Sequence, residues 1–335
     1  MAIFYILLFI AAMMFAGQFL LTKQFQKLNG NSLTSTLKLS FFAFLAIAVF
    51  FFIKAQIGAE SLRFGFSFFT LGMTLGIAVV SVLCTYLGIK VLGIGNMSVY
   101  SVFMMIGSMV LPSLVGLLFY SEPLTPLKGV AIVLMLLAVV FTAGSDDKKA
   151  DKKAIFYYIG VFILNGLIGV FFTVHNNQPL LTAYYEMQGE LAVANSDVFM
   201  CWYGISTALL SGVLLLVLRI AEKKKQSAQN AAAVEEKQVE NVKTKDKKEG
   251  VKALLLSVGI AVLYGIVNGL GNYFISLGTM PGALGSSVTF PVVNGGTIVF
   301  STLLGFFVFK EKITWKTWVG LAIVILSTVL FMLAQ

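Results

Sequence analysis

The sequence predicts an all-α polytopic membrane protein of ten transmembrane helices in two five-helix repeats, and three observations lead there. Its 335 residues are 58% hydrophobic and only 12% charged, whereas a soluble domain carries about 25% charged residues; the mean hydropathy is +0.91. The apolar residues gather in ten runs, each near the ~20 residues that a helix needs to cross the ~30 Å hydrocarbon core. Finally, the second half of the chain repeats part of the first.

The repeat is clearest where Ser98 to Thr125 is laid on Ser287 to Thr314, an ungapped register of 28 positions with eight identities. These are Ser98 with Ser287, Val99 with Val288, Gly107 with Gly296, Val110 with Val299, Leu114 with Leu303, Gly116 with Gly305, Glu122 with Glu311 and Thr125 with Thr314. Two glycines followed by a Glu and a Thr three residues on are hard to obtain from low complexity alone, and they mark an internal duplication. Upstream, after a two-residue gap, Gly72 meets Gly259, Ser81 meets Asn268, Thr85 meets Asn272 and Tyr86 meets Tyr273.

In chain order the predicted spans are 3–22, 34–53, 66–89, 97–120, 126–143, 154–174, 198–218, 252–277, 284–309 and 315–334. Helices are expected because lipid tolerates only helices and closed barrels, and no barrel pattern is present. The first repeat occupies 1–147 and the second 148–335. The first run lacks a basic segment ahead of it and a small-residue cleavage pattern, so it reads as a retained helix.

The loops sort by charge. Those after the odd-numbered runs hold 21 of the 24 basic residues, leaving Lys54, Arg63 and Lys128 on the other side. The positive-inside rule then puts both termini outside the cytoplasm. The net charge of +9 is accounted for by these loops, and no nucleic-acid partner is implied.

The stretch 221–250 is charged, has no aromatic residue and reads as a solvated cytoplasmic linker inside the second repeat, with room for a short helix. Between His175 and Asp197 the chain has Glu186 and Glu190 and no Lys or Arg, which suits an external loop or lid. Cys84 and Cys201 fall in apolar runs and read as small hydrophobes. One histidine, His175, leaves no basis for a His-based metal cluster, and nothing calls for a cofactor.

Ten helices in two repeats, each ending in Gly, Glu, Thr and a last apolar helix, resemble the drug/metabolite transporter superfamily, in its EamA-type ten-helix branch. GLLFYSEPLTPLKGVAIVLMLLAVV from Gly116 and GFFVFKEKITWKTWVGLAIVILSTVL from Gly305 carry the resemblance, the second more closely. It implies that the two repeats insert upside down relative to one another, with a substrate site near the midplane between them. It also implies cytoplasmic termini, which the lysine partition opposes.

Candidate lining residues follow from polar groups inside apolar runs. Tyr264, Asn268 and Asn272 stand at i, i+4 and i+8, so a hydroxyl and two amides share one helical face. An amide is costly against lipid and must face protein or water, either joining helices or lining a cavity. Ser81 and Thr85 hold the matching places in the third helix. Tyr100 and Asn294 lie in helices that also contain Pro112 and Pro291, candidate kinks. Gln18 and Asn165 are further candidates, at unequal depths in their repeats. The pairs Gly72 with Gly76 and Gly265 with Gly269 suit close helix packing.

No Asp or Glu sits in the middle of a run, which removes a buried carboxylate as proton carrier. Glu122 and Glu311 read as boundary charges paired locally with Lys128, Lys310 and Lys312. No enzyme is expected without a positioned acid, base or metal. By elimination the expected cargo is a small neutral or zwitterionic polar metabolite such as an amino acid, moved by an exporter in a bacterial inner membrane. An organellar or nucleotide-sugar carrier and a non-transporting scaffold are the alternatives.

Overall fold

The computed structural model describes residues 2–57, 64–65, 67–94, 97–119, 125–143, 152–176, 196–232, 247–279 and 283–334. Among them the secondary structure is helical throughout: α1 Ala2–Asn29, α2 Leu33–Gln56, α3 Phe68–Ile94, α4 Met97–Phe119, α5 Pro126–Ala143, α6 Lys152–Asn176, α7 Ser196–Ala232, α8 Lys247–Thr279, α9 Ser286–Phe309 and α10 Trp315–Leu333. Nine of these are long and apolar enough to cross a membrane, while α5 offers a shorter apolar stretch, Pro126–Ala138. The protein is thus multi-pass by length and composition. Large apolar side chains such as Phe9, Val79, Leu216 and Phe307 are exposed on the outside of the bundle, where a hydrocarbon solvent suits them.

The helix ends have local causes. Gly30, at φ 75°, closes α1 in a conformation that favours glycine. Ser32 caps α2, its hydroxyl accepting from Ser35 N–H at 3.1 Å, and Thr314 caps α10 by accepting from Thr317 N–H at 3.4 Å. Lys310 ends α9 in the left-handed region at φ 53°. The chain reverses there, and the Glu311 N–H bonds back to the Gly305 carbonyl at 3.1 Å. Pro112 and Pro291 lie inside α4 and α9, which run through both as helix.

Three helix pairs join a helix to its counterpart five places on: α2 with α7, α4 with α9 and α5 with α10. Further pairs come in matched sets, α1 on α8 as α6 on α3, α1 on α9 as α6 on α4, and α2 on α8 as α7 on α3. Glycines make the closest approaches. A Cβ at Gly107 of α4 would run into the Phe162 backbone of α6, and one at Gly265 of α8 into the Ala43 backbone of α2. Gly296, which the repeat matches with Gly107, abuts Ala12 of α1. Gly72 departs from the packing expected of it, since a Cβ there would meet nothing within 4 Å.

The expected linker at 221–250 begins as helix, because α7 continues to Ala232, and α8 starts at Lys247 before the apolar run does. The rest of it, and residues 177–195 of the lid expected between His175 and Asp197, lie outside the described residues.

Candidate functional site

Eight helices contribute to the wall of a cavity of about 60 Å³ in the middle of the bundle, room for roughly four waters at the ~15 Å³ that each requires. All nine sequence candidates line it: Gln18 from α1, Ser81 and Thr85 from α3, Tyr100 from α4, Asn165 from α6, Tyr264, Asn268 and Asn272 from α8, and Asn294 from α9. Gln18 and Asn165, which the sequence puts at unequal depths in their repeats, thus share one cavity.

Most of the polar groups are already tied to each other. Asn272 Nδ2 donates to the Asn268 carbonyl at 2.9 Å and to its Oδ1 at 3.2 Å. Asn268 Nδ2 donates to Gln18 Oε1 at 2.9 Å, and Gln18 Nε2 to the Tyr264 hydroxyl at 3.1 Å. The Thr85 hydroxyl bonds Tyr264 as well. Asn165 Nδ2 crosses to the Met104 carbonyl of α4 at 2.8 Å. These bonds join α1, α3, α8, α4 and α6 at the cavity wall, so joining helices and lining a cavity are here one arrangement.

Asn294 is the exception among the carboxamides. It is 2% exposed, and its Nδ2 has no hydrogen-bond partner, alone among the buried carboxamides of the described residues. A buried amide donor without an acceptor costs about 1–3 kcal/mol, and this one lines the cavity.

Several lining residues carry no signal in the sequence. Tyr203 of α7 shares a 2.7 Å hydrogen bond between its hydroxyl and that of Ser81, yet it is the sole polar lining residue of its helix and has no periodic companion. Cys84 and Thr22 are small groups indistinguishable in sequence from packing residues. Phe15, Phe44, Phe172 and Phe290 supply apolar faces.

Charged groups stand toward the two ends of the bundle. Near the C-terminal end of α1, Lys23 pairs with Glu311. Glu311 also accepts from the Met97 N–H at 2.9 Å, the Ser98 N–H at 3.3 Å and the Ser98 hydroxyl at 3.0 Å. Those N–H groups belong to the first turn of α4, where helical partners are lacking and the dipole favours an anion. Lys23 and Lys27 each sit 4.6 Å from the centre of the Phe309 ring. The local pairing expected for Glu311 is thus replaced by one with a lysine 288 positions away. Its neighbour Lys310 adopts the left-handed turn just ahead of Glu311, whose side chain is buried. Glu122 lies outside the described residues.

The opposite end holds Lys54 of α2, with Nζ at 2.7 and 2.9 Å from the two carboxylate oxygens of Asp197 of α7 and at 2.9 Å from the Tyr273 hydroxyl of α8. Tyr273 follows Asn272 directly. His175, buried near this end, stacks on Phe199 with ring centres 3.7 Å apart.

No family model matches the chain, and no curated protein does either. A solved structure described only as "Crystal structure of protein" has the same fold, with a TM-score of 0.63 over 99% of this chain and 97% of that one, at 12% identity. At that identity the likeness is one of fold alone.

Proposed function

We propose that this chain is a membrane transporter that passes a small polar solute without net charge through the central cavity, by alternating access between two inverted repeats. The observation that carries the reading is Asn294 Nδ2, a buried donor left without a partner in a cavity whose other amides are satisfied. Such a group is stabilised by an arriving acceptor, and unlike the unpaired serine and threonine hydroxyls elsewhere in the bundle it faces the cavity.

The repeat arrangement supports it. The matched helix pairs are those that a twofold relation of α1–α5 to α6–α10 generates, and the sequence duplication runs between the same halves. An odd number of helices per repeat turns one copy over relative to the other. Each end of the bundle is tied by an ion pair, Lys23 of α1 to Glu311 of the α9–α10 connection at one and Lys54 of α2 to Asp197 of α7 at the other. On this reading the release of one pair at a time opens the cavity to one side at a time, and the small volume belongs to a state with both pairs closed. The EamA-type resemblance and a bacterial inner-membrane location accord with this scheme.

The test is flux. Purified protein in proteoliposomes is expected to give saturable counterflow of at least one uncharged or zwitterionic solute from a panel of amino acids, amides and bases. Asn294→Ala is expected to lower it tenfold or more. A panel without flux beyond that of protein-free liposomes favours a scaffold.

A further inference from the structure

We propose that the cavity accepts a neutral ring compound bearing a carboxamide or lactam edge, in the class of nucleobases and pyridine carboxamides, and discriminates against zwitterions. This rests on the transporter reading and narrows its cargo.

The first observation concerns charge. Among the described residues, no Asp, Glu, Lys, Arg or His lines the cavity. The two nearby ion pairs are already engaged, Glu311 by Lys23 and the first turn of α4, Lys54 by Asp197 and Tyr273. An ammonium and a carboxylate carried into this space leave water and meet no countercharge, a far larger cost than burying a neutral amide.

The second observation concerns what the wall offers instead. Four of its five carboxamides spend their nitrogens on protein acceptors, and Asn294 Nδ2 remains. One turn earlier on α9, Phe290 lines the same cavity, with Phe172 contributed by α6. A carboxamide presents a donor beside an acceptor, and the edge of a lactam or of a second carboxamide presents the complementary pair, as an adenine edge does to Asn. Flat aromatic side chains suit the face of such a ring. A polyol fits less well, since its many hydroxyls would need more unpaired partners than the wall retains. Met104 and Met105, flexible and unbranched, give the wall room to part around a ring.

Nicotinamide and uracil serve as probes, with glutamine as a zwitterion that carries the same carboxamide. Binding is read from the melting temperature of the purified full-length protein and from counterflow in proteoliposomes. Nicotinamide or uracil is expected to raise the melting temperature at concentrations where glutamine does not. Asn294→Ala is expected to weaken that binding at least tenfold while leaving the ligand-free melting temperature unchanged, and Phe290→Leu to weaken it as well. Glutamine bound as tightly as nicotinamide, and lost in Asn294→Ala, overturns the neutral-ring proposal yet leaves the cavity as the binding site. Ring binding that survives both substitutions lies elsewhere and overturns the site together with the proposal. Binding of none of the probes also overturns the ring proposal, and flux of another uncharged solute then decides the transporter reading separately.

Discussion

Ser98 donates its hydroxyl to Glu311 Oε2 at 3.0 Å, across 213 positions of sequence and between the two copies of the internal repeat. Gly305 makes the contact possible: a Cβ there would stand 2.7 Å from Glu311 Oε2 and 2.9 Å from Ser98 Oγ. Three of the eight identities in the repeat, Ser98 with Ser287, Gly116 with Gly305 and Glu122 with Glu311, therefore supply the parts of one clamp. Here a glycine, a carboxylate six residues on and a serine at the start of a helix act as a unit.

Glu311→Ala should be among the most destabilising single changes. It leaves Lys23 buried without a countercharge and removes the acceptors at the start of α4. Breaking a buried pair from one side costs about 3–5 kcal/mol, so the melting temperature in detergent should fall sharply. In the double variant Lys23→Met with Glu311→Gln, part of that loss should return. A melting temperature for Glu311→Ala equal to that of the unmodified protein would mean the clamp holds nothing.

Glycine substitutions should divide by neighbour. Gly265→Ala meets the Ala43 backbone, which cannot turn aside as a side chain does, and Gly305→Ala meets the clamp; overpacking of this kind costs about 1–3 kcal/mol. Gly72→Ala meets nothing within 4 Å and gains helix propensity, up to about 1 kcal/mol. Thermal unfolding of the three variants should place Gly72→Ala at or above the parent and the other two below it.

Asn268→Ala and Asn294→Ala should differ before any ligand is added. The first loses a bond to Gln18 and strands its Oε1, a cost of about 1–3 kcal/mol, while the second removes a donor that had no partner. Only Asn268→Ala should therefore lower the ligand-free melting temperature. Equal losses in both would place Asn294 among the helix-joining groups.

Orientation is open to a direct check. With 21 of 24 basic residues in the loops after odd-numbered runs, a reporter active only in the cytoplasm should stay silent when fused after Gln335. Activity in the intact fusion inverts the assignment and makes the family-like, cytoplasmic termini correct.

The helices were legible because lipid leaves a long apolar run few alternatives, and the nine lining residues because an amide or hydroxyl inside such a run must turn toward protein. Their convergence on one cavity needed no side-chain detail. What the sequence withholds is partnership. Asn268 and Asn294 are the same residue type in similar apolar settings, yet one is bonded across the bundle and the other is not, a difference set by where Gln18 falls on a different helix. Glu311 has two lysines beside it in sequence, Lys310 and Lys312, yet it pairs with Lys23 of α1. Gly72 shares the spacing of Gly265, but spacing does not say whether a helix lies opposite.

The neutral wall of the cavity has an electrical consequence. Moving one elementary charge across a membrane exchanges about 2.3 kcal/mol per 100 mV with the field, and none of the described lining side chains carries one. Under the proposed scheme, an uncharged solute in this cavity adds nothing to the charge that a rearrangement of its walls would move. The resting voltage of the cell would then act on such a step only through charges elsewhere in the chain, among them the two ion pairs at the ends of the bundle.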